Sequence, residues 1–393
     1  MAKTTAAYAI SLYYSPTIIL IVLLLNLASL GNSGNQQSRT IPRTPPTPTQ
    51  RTPPRTRTPP TPQTTPISAH IDVQTYHYIV KVGICTIPST NPPYKEYYLH
   101  MDTGSSTVWM QCHGCTKCFD QTPPPFPYRN SQSFANTGGR TGFPQPFNLT
   151  YADKSSTFGI LAHETFHLKS KSGSVSKIPG VLFGCGMVNN NMNFEKVNGH
   201  NRIAGVMGLG WDSPFLTSIS SKFSYCLSPL PLTTTSQSYL TFGNTTPTPS
   251  SVKIGRTPLQ RRPGTKFYSL DMQGISLNKK RLNINANELR LNIGTVIDTG
   301  CPVTRLVARA FDFAGDYVSP RGLECGLMMK PQAAFKVIGV QRLGKPSENV
   351  CLAMIKDPMM TIIGAQAQTN HKIVIDTDKR EMLFNLQDCA RNP

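Results

Sequence analysis

Two copies of the tripeptide Asp-Thr-Gly supply the residues of this sequence that are best suited to chemistry. They lie at 102–104 and 298–300, and each follows a short apolar run. A single copy is weak evidence, because such tripeptides also mark ordinary turns after strands. Each copy, however, has its own downstream turn of two apolar residues and a glycine, at 206–208 and 362–364. The repeat therefore predicts two similar lobes that bring the two aspartates together across a pseudo-twofold axis.

Two neighbouring carboxyl groups can perform acid–base catalysis. They do not both ionise easily, so they share one proton over a broad acidic range. The ionised group accepts a proton from a bound water, while the protonated group donates to a peptide carbonyl. We expect Asp102 and Asp298 to hydrolyse amide bonds in this way, with no metal, no cofactor and no covalent intermediate. Gly104 and Gly300 allow the tight turn that follows each Asp-Thr pair.

Short β-strands are the elements that must position these carboxyl groups. Runs rich in β-branched and aromatic residues, broken by Gly, Pro, Asn and Ser, recur after Ile71, for example at 78–82 and 372–375. Helical periodicity is scarce, with short candidates at 214–222 and 307–317. The pattern predicts an all-β fold with many loops.

The N-terminal 70 residues lack the composition of a folded domain. Lys3 is followed by an apolar run at 18–25, which is shorter than the roughly 20 residues of a membrane span. A basic start, a short apolar core and small residues after it predict a secretory signal peptide over residues 1–31, with a signal anchor as the alternative. Residues 32–70 are rich in Pro, Thr and Arg, so we expect a disordered arm or pro-segment there.

The charge of the chain is strongly positive. Lys and Arg number 39 against 20 Asp and Glu, which gives a formal net charge of +19. This excess favours anionic surroundings such as cell-wall polyanions. No Lys/Arg cluster interleaved with aromatic residues is present in the sequence, so a nucleic-acid partner is not expected. No second long apolar run follows the leader, so no membrane association is expected after signal removal.

Further motifs around the twin loops make the chain similar to a known family. Together they resemble the pepsin-type aspartic proteases, specifically the atypical plant nepenthesin-like group, over roughly residues 76 to 390. The matching segments beyond the two loops are Tyr151-Ala152-Asp153, Phe183-Gly184-Cys185-Gly186, the run at 205–210, Phe223-Ser224-Tyr225-Cys226-Leu227, Phe267-Tyr268, Gly274-Ile275-Ser276, Cys351-Leu352-Ala353 and Ile362-Ile363-Gly364.

The resemblance implies a bilobal pepsin-like fold with an active-site cleft between two related lobes. These lobes are expected at residues 71–245 and 246–393. The resemblance also implies that Thr103 and Thr299 each bond to the other's loop across the cleft.

Around the first loop, the resemblance assigns roles to three further residues. Ser105 is expected to hydrogen-bond the outer oxygen of Asp102. Tyr151 matches the tyrosine of the family's mobile flap, which closes over substrate, and Trp109 matches the tryptophan that steadies it.

Three positions depart from the family pattern. Cys301 stands where the family has Ser or Thr, and a thiol is a weak donor, so the outer oxygen of Asp298 should lose a good hydrogen bond. The pKa of Asp298 should then rise and the activity should fall. Ala152 and Lys154 replace glycines of the flap tip, so a stiffer or displaced flap is expected.

Two glycosylation sequons begin at Asn148 and Asn244. The first ends immediately before Tyr151, so a glycan on Asn148 would lie at the base of the flap.

Ten cysteines behind a signal peptide predict disulfides. A cluster around His113 resembles a metal knuckle, but an oxidising compartment favours a disulfide-stapled insert and no metal site. The candidates in that region are Cys112, Cys115, Cys118 and Cys185. The resemblance implies the pairs Cys325–Cys351 and Cys226–Cys389, and it gives Cys85 and Cys301 no partner.

The leading interpretation is a monomeric aspartic endopeptidase. It would be secreted to the apoplast or cell wall, with the vacuole as an alternative, and would cleave protein or peptide substrates with bulky apolar side chains at acid pH. The rival is a catalytically impaired relative that binds a protein, as the xylanase-inhibitor branch of the family does. A basic cell-wall structural protein is a third interpretation, but it does not explain the twin loops.

Overall fold

The computed structural model describes residues 66–138, 142–230, 238–244, 252–277, 280–312, 337–339, 350–352 and 354–390. All of them belong to one compact unit, residues 59–393. The predicted signal peptide and residues 32–65 of the predicted arm lie outside the described residues. Residues 67–70, which the sequence assigned to the arm, instead begin the strand Ile67–Gln74, because their alternating apolar side chains are buried.

The described chain is almost entirely β-structure. Its strands up to residue 258 are β1 (Ile67–Gln74), β2 (His77–Ile84), β3 (Lys95–Asp102), β4 (Trp109–Gln111), β5 (Ala135–Asn136), β6 (Pro146–Thr150), β7 (Ser156–Lys169), β8 (Val175–Asn190), β9 (Ile203–Gly208), β10 (Lys222–Cys226), β11 (Ser238–Phe242) and β12 (Gly255–Pro258). The later strands are β13 (Tyr268–Leu270), β14 (Ser276–Leu277), β15 (Lys280–Arg281), β16 (Thr295–Asp298), β17 (Thr304–Val307), β18 (Val337–Gly339), β19 (Val350–Leu352), β20 (Met354–Asp357), β21 (Thr361–Gly364), β22 (His371–Asp376) and β23 (Glu381–Leu386).

Helical structure is short. Helix α1 spans Pro214–Ile219, and 3₁₀ turns lie at Tyr128–Asn130, Glu288–Arg290 and Ala365–Gln368. The sequence predicted a helix at 214–222, but α1 ends at Ile219 because Ser220 is extended (φ −172°, ψ 142°) and β10 begins two residues later. None of the helices in the described ranges has both the length and the apolar character needed to cross a membrane.

Two large sheets contain most of the described strands of the two halves. Fourteen described strands form the larger sheet, in the order β12-β23-β22-β10-β11-β1-β2-β3-β9-β4-β8-β7-β5, with β6 paired to β7. The smaller sheet has the order β13-β16-β21-β17-β20. Strands β22 and β23, from the C-terminal half, join the larger sheet by the pairing of β22 with β10, so the two halves share a continuous backbone ladder.

The repeat predicted from the sequence is present as a repeated strand arrangement. Strand β3 pairs in parallel with β9 so that Asp102 lies opposite Gly208. Strand β16 pairs in parallel with β21 so that Asp298 lies opposite Gly364. In each half the downstream apolar-Gly turn therefore lies beside the aspartate, which fixes the position of the loop that carries it.

Buried apolar side chains hold the sheets in place. The main cluster covers the N-terminal half and the shared sheet, and aromatic residues such as Phe183, Phe215, Phe223 and Tyr268 are fully buried in it. A second cluster, which includes Leu282, Leu289, Leu306 and Met354, fills the C-terminal half. Burial of such side chains contributes about 1.5–3 kcal/mol each, so these clusters provide the rigid support on which the two Asp loops depend.

Candidate active site

Asp102 and Asp298 lie at equivalent positions, each at the end of a buried strand. Their exposed fractions are only 6% and 8%. The backbone N–H of Gly104 donates to Oδ1 of Asp102 and that of Gly300 donates to Oδ1 of Asp298, both at 2.8 Å. Each carboxylate is thus held by the glycine of its own loop.

The two loops are bonded to each other through their threonines. The N–H of Thr103 donates to Oγ1 of Thr299 at 3.1 Å, and the N–H of Thr299 donates to Oγ1 of Thr103 at 3.0 Å. Each hydroxyl then donates to a carbonyl of the opposite strand, that of Ile297 or Met101. This reciprocal network joins the halves at the point where the carboxylates meet.

The two carboxyl groups are in mutual contact. They lie within hydrogen-bonding reach of each other. Neither Gly104 nor Gly300 has room for a side chain, because a Cβ on either would come within 3 Å of the carboxylate of the opposite loop. Glycine is needed at these positions for the close approach of the two loops as well as for the turn.

The outer oxygens of the dyad have unequal partners. The Ser105 hydroxyl donates to Oδ2 of Asp102 at 2.5 Å. The Cys301 thiol, at the corresponding position of the second loop, instead donates to the carbonyl of Val303 at 3.1 Å. Asp298 receives the backbone N–H groups of Gly300 and Cys301 but no side-chain donor equivalent to Ser105.

This difference in hydrogen bonding affects the pKa values of the two carboxyl groups. Burial raises the pKa of Asp298 well above its usual range, and the charge of Asp102 raises it further. Burial also raises the pKa of Asp102, but the hydrogen bonds from Ser105 and Gly104 oppose that rise. The proton of the pair therefore belongs on Asp298, because the hydrogen bonds stabilise the charged form of Asp102 more strongly.

A hairpin of β6 and β7 carries Tyr151 to the dyad. Its turn closes at Thr150 opposite Ser156, and the Tyr151 N–H donates to the Ser155 carbonyl at 2.9 Å. The indole Nε1 of Trp109 donates to the Tyr151 hydroxyl at 2.6 Å, and that hydroxyl is also within hydrogen-bonding reach of Ser105. Trp109, Tyr151 and Ser105 thus form a chain of polar contacts that ends on Asp102.

The two unusual flap residues lie at the exposed tip of this hairpin. Ala152 and Lys154 are exposed, and Lys154 adopts a left-handed conformation with φ +67°. Glycine enters this region without a steric penalty, whereas a lysine there costs about 1–2 kcal/mol. The turn keeps Tyr151 against Trp109, and the expected change in the stiffness or position of the flap stays a prediction.

Three disulfides are present in the described residues. They are Cys112–Cys185, Cys115–Cys118 and Cys226–Cys389, with Cα–Cα distances of 5.5, 5.6 and 5.3 Å. The clustered cysteines therefore form disulfides, and the Cys226–Cys389 pair is confirmed. Cys85 is a buried free thiol and Cys301 a half-buried one. The predicted Cys325–Cys351 pair cannot be placed, because Cys325 and the side chain of Cys351 lie outside the described residues.

Both sequon asparagines are exposed. Asn148 lies on β6 opposite Phe158, three residues before Tyr151, which places it on the flap hairpin. Asn244 follows β11, and the rest of its sequon lies outside the described residues.

Arg305 is a neighbour of the Cys301 thiol that the sequence did not reveal. It lies on β17, within hydrogen-bonding reach of the Cys301 thiol, and its Nη1 donates to Asp357 at 3.3 Å. That ion pair and two backbone N–H groups lower the pKa of Asp357 against the opposing effect of its burial. The sequence signal was the position of Arg305 four residues after Cys301, but its orientation depended on the pairing of β17 with β20.

Known proteins resemble this chain in both sequence and fold. Residues 78–244 match the family described as xylanase inhibitor N-terminal. A probable aspartic protease of Arabidopsis thaliana is 30% identical, covering 77% of this chain and 79% of the relative. The aspartic proteinase nepenthesin-1 of Nepenthes gracilis is 29% identical, covering 77% of each chain.

Solved structures match over most of the described fold. The crystal structure of EDGP has a TM-score of 0.60 at 17% identity, covering 84% of this chain and 98% of that one. Conglutin gamma, a basic 7S globulin from lupine seeds, has a TM-score of 0.54 at 16% identity, covering 81% and 94%. At these identities the structural likeness supports the all-β bilobal architecture alone.

Proposed function

Because this chain belongs to the pepsin-like aspartic protease family, in the atypical plant group, we propose that it is an aspartic endopeptidase. The observation that carries the proposal is the hydrogen-bonded contact between Asp102 and Asp298 at the junction of the two Asp-Thr-Gly loops.

The geometry gives each carboxyl group a separate role. Asp102, held ionised by Ser105 and Gly104, accepts a proton from a water bound between the two carboxyl groups. Asp298, which keeps the shared proton, donates it to the oxygen of the scissile carbonyl. The water oxygen forms a bond to the carbonyl carbon and gives a tetrahedral intermediate. Asp102 then donates the proton it took from water to the leaving nitrogen as the C–N bond breaks, and Asp298 takes back a proton from a hydroxyl of the intermediate as the new carboxyl group forms.

The proposed setting and substrates follow from the family and the cysteines. Three disulfides are consistent with a secreted protein in an oxidising compartment. We expect a monomer that cleaves protein or peptide substrates next to bulky apolar side chains at acid pH.

Digestion of denatured globin at pH 3–4 tests the proposal. The purified chain should cleave it, and pepstatin should stop the cleavage. Asp102→Asn should lower kcat by at least about a thousandfold, because it removes the base. Asp312→Asn, an exposed aspartate that pairs with Lys356, is the matched control and should leave kcat unchanged. Activity that survived either pepstatin or Asp102→Asn would rule out this mechanism.

A protein-binding relative without activity is the second candidate. Two observations favour it: the Cys301 thiol leaves Asp298 without a side-chain donor, and the N-terminal half matches a family described by xylanase inhibition. A folded, monomeric chain that is inert at every pH between 2 and 7 would support this candidate over the enzyme.

A further inference from the structure

A groove on the outer face of the N-terminal half lies apart from the candidate active site. It opens where β7 crosses onto β2, at the pairing of Gly83 with His167. Its walls come from β1, β2, β7, β11 and the segment leading into β3. The described residues that line it include neither the dyad nor the flap, so the mechanism proposed above leaves the groove unused.

Two tyrosine rings provide flat apolar surfaces in the groove. Tyr94 stacks on His167 with ring centroids 4.4 Å apart and an interplanar angle of 19°. Tyr239 lies opposite His70 in the β1–β11 ladder, and the two rings meet edge to face at 5.6 Å. Gly83 leaves room for the Tyr94 ring, because a Cβ there would come within 3 Å of it.

The groove also carries uncompensated positive charge. Lys81 is paired with Glu96 at 2.6 Å, so these two charges cancel. Lys169 and Lys171 are exposed and, within the described part of the chain, neither is in an ion pair. The Nζ of Lys171 lies 5.7 Å from the centroid of the Tyr239 ring, so one aromatic surface and one ammonium group face the same space.

Hydroxyl groups complete the rim at the β7–β8 turn. The hydroxyl of Ser170 lies 2.8 Å from that of Ser172 and 2.6 Å from that of Ser174. Ser170 itself lines the groove beside the two lysines. The rim therefore presents both donors and acceptors next to the ammonium groups.

We propose that this groove binds an acidic oligosaccharide, a short chain of sugar rings that carry carboxylates. The apolar faces of the rings would stack on Tyr94 and Tyr239, and the carboxylates would accept hydrogen bonds from Lys169 and Lys171. The serine hydroxyls would bond to sugar hydroxyls. This site is independent of the proteolytic function, since the two sets of residues do not overlap.

The charge pattern favours a sugar acid over a nucleic acid. A nucleic acid binds mainly when many of its phosphates are neutralised, and the two unpaired lysines of the groove can neutralise only a few of them.

Isothermal titration calorimetry of the full chain, secreted from a eukaryotic host, tests this site. The probe is a linear hexamer of galacturonate, compared with its fully methyl-esterified form and with hexathymidylate. We expect saturable binding of one hexamer per chain and at least about tenfold weaker binding of the neutral ester. The double variant Lys169→Gln/Lys171→Gln should lose at least about tenfold in affinity for the hexamer.

Two further variants make the test specific. Lys253→Gln/Lys379→Gln removes the same charge from exposed positions outside the groove and should leave the affinity unchanged. Tyr239→Leu keeps every charge and should weaken binding several-fold, about the effect of one lost stacking surface. The proposal is overturned by an absence of saturable binding, by equal affinity for the ester, by equal losses in the two lysine variants, by an unchanged affinity in Tyr239→Leu, or by tighter binding of hexathymidylate.

Discussion

At the scale of single residues, the two Asp-Thr-Gly loops differ mainly in the side chain next to the glycine. Ser105 donates to the outer oxygen of Asp102, whereas the Cys301 thiol turns to the carbonyl of Val303. The sequence predicted that Asp298 would lose a hydrogen bond, and in the structure the thiol donates elsewhere. The pKa of Asp298 is raised by its burial and by the charge of Asp102, and the contribution of the lost bond stays a prediction. The thiol itself is not a candidate nucleophile, because burial and the charge of Asp298 raise its pKa.

Introducing a hydroxyl at position 301 should change the pH dependence of kcat/KM for the proposed proteolysis. In Cys301→Ser, a hydroxyl that donates to Asp298 stabilises its charged form and lowers its pKa. The alkaline limb of kcat/KM, which reports loss of the shared proton, should then move down by about one pH unit. The rate at pH 3–4 should rise several-fold, because the added bond also fixes the carboxylate in position.

The reciprocal variant is the control for this prediction. Ser105→Cys removes the hydroxyl that donates to Asp102, so the pKa of Asp102 should rise. The acid limb of kcat/KM should then shift to higher pH, and the rate should fall. If Cys301→Ser leaves both the alkaline limb and the rate unchanged, the missing hydroxyl is not what limits the dyad.

At the scale of elements, a hydrogen bond from Trp109 to Tyr151 joins the tip of the flap hairpin to the body of the N-terminal half. The hairpin contacts the dyad through Tyr151, whose hydroxyl accepts from Trp109 at 2.6 Å. Trp109 is fully buried on β4, between β8 and β9, so its indole N–H is a fixed donor. We expect this contact to define the closed position of the flap.

Tyr151→Phe should lower kcat/KM by about tenfold. The variant keeps the ring but leaves the buried indole N–H of Trp109 without an acceptor, which costs about 1–3 kcal/mol in the closed state. Steady-state kinetics on a fluorogenic peptide at pH 4 measures the effect. Tyr76→Phe, an exposed tyrosine in the β1–β2 turn, is the matched control and should behave as wild type. Equal kinetics in the two variants would remove Tyr151 from the closing contact.

At the scale of the whole molecule, two disulfides differ in how much chain they close. Cys226–Cys389 joins β10 to the C-terminal segment across 163 residues, whereas Cys115–Cys118 spans 3 residues. The entropy that a cross-link removes from the unfolded chain grows with the closed loop. The long disulfide should therefore hold the shared sheet together more strongly than the short one.

Paired serine variants measure that difference. Cys226→Ser/Cys389→Ser should lose about 5 kcal/mol in the free energy of unfolding, and Cys115→Ser/Cys118→Ser about 2 kcal/mol. Guanidinium titration followed by tryptophan fluorescence provides both values. A loss in the short-loop variant as large as that in the long-loop variant would contradict the chain-entropy explanation.

A histidine pair, in which His100 is buried and His77 half-buried, makes the stability of the whole fold depend on pH. Nδ1 of His77 lies 3.3 Å from Nε2 of His100, and Phe194 packs edge-on against both rings. Burial lowers the pKa of His77 to about 3, with a contribution from His100, and lowers that of His100 to about 4. Between these values and 6.5 the unfolded chain binds more protons than the folded one, so stability falls as the pH drops through this window.

The dyad acts in the opposite direction. Because the pKa of Asp298 is raised in the folded state, its contribution to the stability of the fold is fully present at low pH and is lost as the pH rises.

Between pH 6.5 and pH 4 the histidine pair should lower the free energy of unfolding by on the order of 2–4 kcal/mol. His77→Gln/His100→Gln should flatten the fall of Tm with acid, and Asp298→Asn should steepen it. An unchanged pH slope in the histidine variant would show that the pair is not the sensor.

The sequence by itself determined the chemistry and the symmetry of this protein. The two Asp-Thr-Gly loops, their strands and their downstream apolar-Gly turns follow from local composition and spacing, and the family motifs identified Tyr151 and Trp109. These features are local, because the tight turn needs its glycine and the strand needs its apolar run wherever they lie in the chain. The Cys226–Cys389 pair came from the resemblance alone, since spacing cannot assign connectivity.

Only the tertiary structure decided what surrounds these residues. The unequal hydrogen bonding of Asp102 and Asp298 depends on the direction in which the Cys301 thiol points. The contact between that thiol and Arg305 depends on the register of β17. The His77–His100 pair and the groove between β2 and β7 join residues from separate strands. Burial and hydrogen-bond direction are set by strands that are distant in sequence, so no local pattern could encode them.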